Sequence, residues 1–430
     1  MTKRTRYLIM LFGVIAFLIL APAIVLYVRG VSFDFQTKTF VDTGILAVRT
    51  DPKFAQIFLD GKLQRTSSGD IRFVLPGEHS VQIKDEGYRP WSKRLVVQAG
   101  QVTWANPISG KVYLFLDNPK VKTLAGSADD FYVNSNELVY LKSGSLITTL
   151  PFDASGQKVF ALPKPAQKIL ARDDAGANFA LGNLASSTLV IFNASSGQVY
   201  DASSLFPSSA KIQFGDNGAL FVLSNGVLYT SRAPYTAKSA LFKNVKAFYW
   251  LSGSLYFVQA QSAGASLLIS QEDFTDSQVL INNVPDSADE SVFASFEKQI
   301  FLLSGDSLYL ASSGMQKLAD NVSQISPDPQ NSYLAVNHSG ELDYFDFLQN
   351  DLNLITRLSD EAASPQVRTA ANTAFFSAKN QLTAIELDLR DTQNTYPLYS
   401  GTNLQKFFVD GSGKNLWVLD GGEIKYLQVR

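Results

Sequence analysis

Residues able to do chemistry are scarce in this chain. It has no cysteine, and its two histidines, His79 and His338, stand about 260 positions apart. The first fact removes disulfides, cysteine-ligated zinc, iron–sulfur clusters and thiol nucleophiles. The second leaves a Ser-His-Asp triad or a multi-histidine metal centre almost nothing to draw on. There is no G-x-x-x-x-G-K-[ST] phosphate loop, dinucleotide fingerprint or G-x-S-x-G elbow. Carboxylates remain, and two of them suffice for glycoside hydrolysis. Yet Asp, Asn and Gly cluster here at turn positions in repeat after repeat, and turn chemistry accounts for them without a reaction. Asp410-Gly411-Ser412-Gly413-Lys414-Asn415 has the look of a calcium loop, but it lacks the distal Glu and contains Lys414. His338, in Asn337-His338-Ser339-Gly340, reads as a solvated turn residue, and His79 as a half-exposed strand residue. The expectation is a chain with no catalytic residue, no metal and no cofactor.

The aromatic residues admit two uses. Phe248, Tyr249 and Trp250 form a run, Trp417 falls in an expected inner strand, and Trp91 and Trp104 lie earlier in the chain. Core packing is the expected role of all of them, with an aromatic platform for sugars or peptides as the alternative. The basic stretch Arg89 to Arg94 (RPWSKR) reads as a solvated loop, or else as a contact for anionic lipid headgroups.

The composition frames these residues. The chain has 430 residues, 46% hydrophobic, with 37 Lys+Arg against 39 Asp+Glu and a formal net charge of −2. That apolar share excludes wholesale disorder, and the length suggests two or three domains. The balanced charge argues against nucleic acid as the main partner.

Tyr7 to Val28 contains no charged residue. At 1.5 Å per residue such a helix covers about 33 Å, enough for a hydrocarbon core. Lys3, Arg4 and Arg6 precede it and only Arg29 follows closely, so residues 1–6 are expected in the cytoplasm and the bulk of the chain outside it, at the cell membrane. A signal peptide cut near Ala21-Pro22-Ala23 and a buried core helix are the competing readings.

Residues 29–44 read as a linker. Residues 45–108 then alternate in short runs divided by turn pairs such as Asp60-Gly61 and Pro76-Gly77, which marks an all-β unit. The run Thr50-Asp51-Pro52, Ala55, Leu59-Asp60-Gly61, Leu75-Pro76-Gly77, His79-Ser80-Val81 and Gly87-Tyr88 resembles the PEGA domain in order and spacing. The departure is Phe54, where that family usually has Gly. The resemblance implies a small extracytoplasmic β-sandwich on cell-envelope proteins, serving as a spacer or binding module without catalysis.

Residues 111–430 repeat. Apolar hairpins start at residues 137, 177, 219, 254, 299, 332, 374 and 415, a period of about 40 residues, which is that of four-stranded propeller blades. The turns Asp173-Asp174-Ala175-Gly176, Gly215-Asp216-Asn217-Gly218, Ser326-Pro327-Asp328-Pro329 and Asp410-Gly411-Ser412-Gly413 resemble those of TolB-like and WD40-like propellers. Eight blades are expected, or seven if two units merge. The last unit supplies only three strands, so Lys120 to Ala125 is expected to pair with it and close the ring.

The sequence therefore predicts an all-β protein with an amino-terminal transmembrane helix, a PEGA-like sandwich and a propeller. The expected role is non-enzymatic: a membrane-anchored envelope scaffold or recognition module whose partners are the lipid bilayer, through Tyr7–Val28, and an envelope protein or polysaccharide. A carboxylate-based polysaccharide hydrolase or lyase is one alternative, and a TolB-like assembly factor another.

Overall fold

The computed structural model describes residues 3–430 apart from 35–36, 174–175, 184–186, 207–209, 263, 272–273, 275, 288–289, 295–298, 329–332, 339, 347–349, 359–365 and 369–372. The chain divides into two compact units. One gathers residues 1–118, 385–396 and Arg430; the other holds 119–384 and 397–429.

The first unit opens with a single α-helix, Lys3–Arg29, with Pro22 inside it. Its segment Tyr7–Arg29 is long and apolar enough to cross a membrane and is not buried against protein. Where the sequence reads as a linker, Val31–Asp34 and Thr39–Asp42 pair as an antiparallel ribbon. Phe33 and Phe40 face each other across it, 5.3 Å between ring centres, which is the cross-strand aromatic pair such a ribbon favours.

Two small sheets follow. Gly44–Val48 lies between Val102–Trp104, parallel to it, and Gly69–Val74, antiparallel. The second sheet runs in the order Lys62–Arg65, Gln56–Leu59, Gly77–Lys84, Trp91–Val97. Trp91–Val97 alternates strictly between buried and exposed residues, so one face meets the core and the other meets solvent. Leu46, Val48, Ile57, Val81, Ile83, Trp91 and Leu95 make up that core. Asp60 and Gly61, both at positive φ, make the tight turn between Gln56–Leu59 and Lys62–Arg65. The sequence reading starts the propeller at 111, but the structure draws 111–118 into the first unit. Val112–Tyr113 pairs with Thr50–Asp51, and Leu114 is fully buried in the sandwich core.

RPWSKR is not a solvated loop. Most of it lies on the strand Trp91–Val97, and the Lys93 side chain is 0% exposed. Lys93 Nζ stands 3.2 Å from Glu386 Oε2 and 3.5 Å from Asp388 Oδ2, and donates to the Asp388 carbonyl at 2.7 Å. Trp91 Nε1 donates to Glu386 Oε1, and Asn394 Nδ2 to Glu386 Oε2. Arg390 donates to both Asp388 oxygens, and Arg94 pairs with Asp391. Burial pushes the Asp388 carboxyl up, but the Arg390 hydrogen bonds and the Lys93 charge outweigh it and hold the group below its ordinary value. A buried ion cluster of this kind is tolerable because each charge has partners.

The second unit consists of eight four-stranded sheets among the described residues. Their first strands are Asp130–Val133, Lys168–Arg172, Lys211–Phe214, Val245–Leu251, Glu290–Ala294, Val322–Asp328, Gln366–Arg368 and Leu404–Val409, and we number the blades 1 to 8 in that order. The hairpin in each blade matches the repeat read from the sequence: Leu138–Lys142 with Ser145–Thr149 in blade 1, and Asn415–Asp420 with Glu423–Gln428 in blade 8.

These hairpin strands are nearly continuous apolar runs because both of their faces are buried. In blade 2, Phe179 and Leu181 pack toward blade 1, while Ala180, between them, packs toward blade 3. In blade 3, Phe221 and Leu223 pack toward blade 4, while Leu220 and Val222 pack toward blade 2. Successive residues of these inner strands thus alternate between two shared cores, which makes the arrangement radial. The ring closes as the strand count required: Val121–Ala125 pairs antiparallel with Glu423–Gln428 as the fourth strand of blade 8. Beside the closure, Trp417 is buried among Phe152, Phe408 and Tyr426, and its Nε1 donates to the Pro151 carbonyl at 2.7 Å.

Three outcomes are expected. Trp417→Ala should cost about 3–5 kcal/mol, whereas Trp417→Phe, which keeps most of the area and loses the N–H, should cost about 1 kcal/mol; denaturant unfolding of the two variants checks this. Lys93→Met strands two buried carboxylates and should cost about 3–5 kcal/mol, part of which a second change, Glu386→Gln, should restore. The Asp388 contribution has a defined pH window. Its folded value lies below the unfolded 3.8, so its stabilisation is complete at neutral pH and is lost as pH falls below about 4. The gap in unfolding midpoint between the native chain and Asp388→Asn should therefore shrink in acid.

Candidate functional site

First strands of successive blades approach one another: Lys168–Arg172 lies against both Asp130–Val133 and Lys211–Phe214, and Val245–Leu251 lies against Glu290–Ala294. They therefore line the propeller axis. Between the first strands of blades 2 to 5 sits a cavity of about 350 Å³.

Its wall has a polar and an apolar part. Arg172 and Lys211 bring two cations, Gln213 an amide and Ser291 a hydroxyl, while Phe248, Tyr249 and Val292 form the apolar side. Arg172 stacks over the Tyr132 ring at 4.5 Å and donates to the Asp173 carbonyl, which fixes its guanidinium at the rim. The Gln213 amide spans two blades: its Nε2 donates to the Trp250 carbonyl and its Oε1 accepts from the Trp250 N–H, each at 2.8 Å. Trp250 stacks on Phe221, 4.9 Å between ring centres. At Gly215 an added Cβ would come within 2.4 Å of Phe221, so that position requires glycine for the approach. Together these contacts hold Phe248 and Tyr249 at the cavity. Among the described residues that line it there is no histidine or carboxylate. The arrangement can seat an anionic group beside an apolar one.

The residues singled out from the sequence scatter. Phe248 and Trp250 are buried and Tyr249 partly so, and Phe248 and Tyr249 serve as both packing and cavity wall. Trp91 and Trp417 are core residues, Trp417 on the second strand of its blade, one of the two inner strands of that sheet as expected. Trp104 is 41% exposed, with the Arg49 guanidinium 5.8 Å from its ring centre, so it does not pack in the core.

His79 is held at both nitrogens, by Asp60 Oδ2 and by the Leu75 carbonyl, each at 2.7 Å. The two bonds tie the turns at Asp60 and Leu75 together. Burial raises the Asp60 carboxyl, but hydrogen bonds from His79 and Ser80 hold it below its ordinary value. His338 does not sit in a solvated turn: it ends the strand Tyr333–His338 and meets Asp343 Oδ2 at 2.8 Å.

The calcium-like loop is a structural turn. Asp410 Oδ1 accepts from the Lys414 and Asn415 N–H groups, and Oδ2 from Asn415 Nδ2 at 2.7 Å. Asp173 does the same with the Ala177 N–H and Asn178 Nδ2, both at 2.7 Å. In both, a glycine at φ 66°, Gly413 or Gly176, makes the bend. Residues 174–175 and 329 of the turns read from the sequence lie outside the described residues.

Sequence reasoning missed Arg172, Lys211 and Gln213. Their signal was available in hindsight, since a polar residue on an innermost strand facing the axis recurs at those positions, but strand order had to be known first.

A family model of the PEGA domain matches residues 43–108. No curated protein sequence matches the chain. Among solved structures, the C-terminal WD40 domain of Sif2 is 12% identical, with 72% of this chain and 98% of that one covered and a TM-score of 0.52. The Dos1 propeller is 10% identical, with 72% and 94% covered and a TM-score of 0.49. A eukaryotic initiation factor is 11% identical, with 70% and 84% covered and a TM-score of 0.48. At such identities the likeness to Sif2 speaks for the fold alone. Residues 43–108 are a PEGA domain, and the repeats that follow form a β-propeller.

Proposed function

We propose that this chain is a single-pass, membrane-anchored recognition module of the cell envelope. Its PEGA domain and propeller stand outside the cytoplasm, and the axial cavity takes an anionic group of a partner without chemical turnover. The carrying observation is the cavity: two cations and an apolar wall within about 350 Å³, with no acid–base pair among the described residues that line it. Hydrolysis of polysaccharide by carboxylates needs two of them facing one bond, and the described lining residues supply neither. The location rests on the apolar helix with Lys3, Arg4 and Arg6 ahead of it.

The test is a comparison of the full-length chain in detergent micelles with the double variant Arg172→Glu/Lys211→Glu, each used to retain partners from an envelope extract. A partner held by the native chain should be lost from the double variant, with the unfolding midpoint little changed. Equal retention by both would remove the cavity from the reading. A shortened glycan released by the native chain would instead make it an enzyme.

A further inference from the structure

We propose that the hairpin of blade 6 carries a divalent transition-metal site, built by His338, Glu341 and Asp343. Register places these residues together. His338 and Glu341 are directly opposite across the antiparallel pair, and Asp343 is two positions beyond Glu341. Successive strand side chains alternate between faces, so all three project from one face of the sheet. Their ligand atoms lie within 4.8 Å of one another. Bonds of about 2.0–2.2 Å to such nitrogen and oxygen donors need ligand atoms about 3.3 Å apart, which small side-chain rotations reach.

A second observation points to a missing ligand. The Asp343 side chain is 9% exposed, and its Oδ1 is buried with no hydrogen-bond partner among the described residues. A buried carboxylate oxygen left without a donor is costly. Its other oxygen is taken by His338 Nε2 at 2.8 Å. A cation bound between the two would satisfy Oδ1 and replace the proton shared with Nε2, which leaves to solvent. Glu341 is oriented: its Oε1 accepts from Arg357 Nε at 2.7 Å, which leaves Oε2 for a metal. His338 and Glu341 are only partly buried, so an ion can enter from solvent.

The donor set selects the ion. One imidazole and two carboxylates suit zinc or a similar first-row ion, whereas calcium takes six or more oxygens and gains little from nitrogen. Three protein ligands also leave a coordination position for water or for a group on a partner.

The experiment uses the full-length chain in detergent micelles, stripped with a chelator and titrated with zinc chloride and, separately, calcium chloride. Calorimetry should give one zinc per chain, bound at least about tenfold more tightly than calcium, with a rise in thermal midpoint. His338→Gln and Asp343→Asn should each weaken zinc at least about tenfold and abolish that rise. Asp343→Asn keeps the side-chain shape and removes the charge. Should it fail to fold, His338→Gln decides, with its metal-free midpoint separating lost binding from lost structure. A native chain that takes up no zinc, variants that bind it unchanged, or calcium bound as tightly as zinc would each overturn the site.

Discussion

A sheet with an unpaired edge is a template for any other strand, and the second unit depends on hiding that edge at one place. Val121–Ala125 enters blade 8 from the opposite end of the propeller sequence and pairs with Glu423–Gln428. The other seven blades are each made from consecutive strands. Only the eighth is stitched from both ends, so its ladder of backbone hydrogen bonds resists opening of the whole ring. Trp417 sits beside this seam, and the core it joins is shared between blades 8 and 1. The radial packing of the other blades has meaning only while that seam is shut.

Much of this was readable from residue order because propeller strands obey a simple rule. A strand buried on both faces must be apolar at every position, and a strand at the rim need not be. Hence runs such as Leu220–Ser224 stand out at a regular spacing, while the exposed fourth strands, such as Ser239–Lys243, are faint. Turn chemistry is equally local: Asp60-Gly61 and Asp410 through Asn415 declare themselves because their partners lie within a few residues.

What escaped reading was whatever depends on a distant partner. The charges of RPWSKR look solvated in isolation. Their partners lie nearly three hundred positions on, and neither segment hints at the other. His338 looked like a loop residue because Gly340 follows it, although the strand runs on to His338 itself. The cavity residues Arg172 and Lys211 are unremarkable cations until strand order puts them on the axis. The division of labour is plain in physical terms: periodicity encodes burial, whereas sites are built by residues that break the period.

The pairing of Trp91 and Lys93 with Glu386 and Asp388 has a bearing on how the chain matures. A ribosome makes the sandwich strands first, and their ion cluster cannot be completed until residue 388 emerges. For most of synthesis Lys93 has no carboxylate partner of this cluster, while six complete blades are laid down behind it. Contacts of such long sequence separation form late and slowly. The earliest segment to leave the ribosome is therefore among the last to settle, and a chain truncated before residue 385 carries an amino-terminal unit that never acquires its full complement of charges.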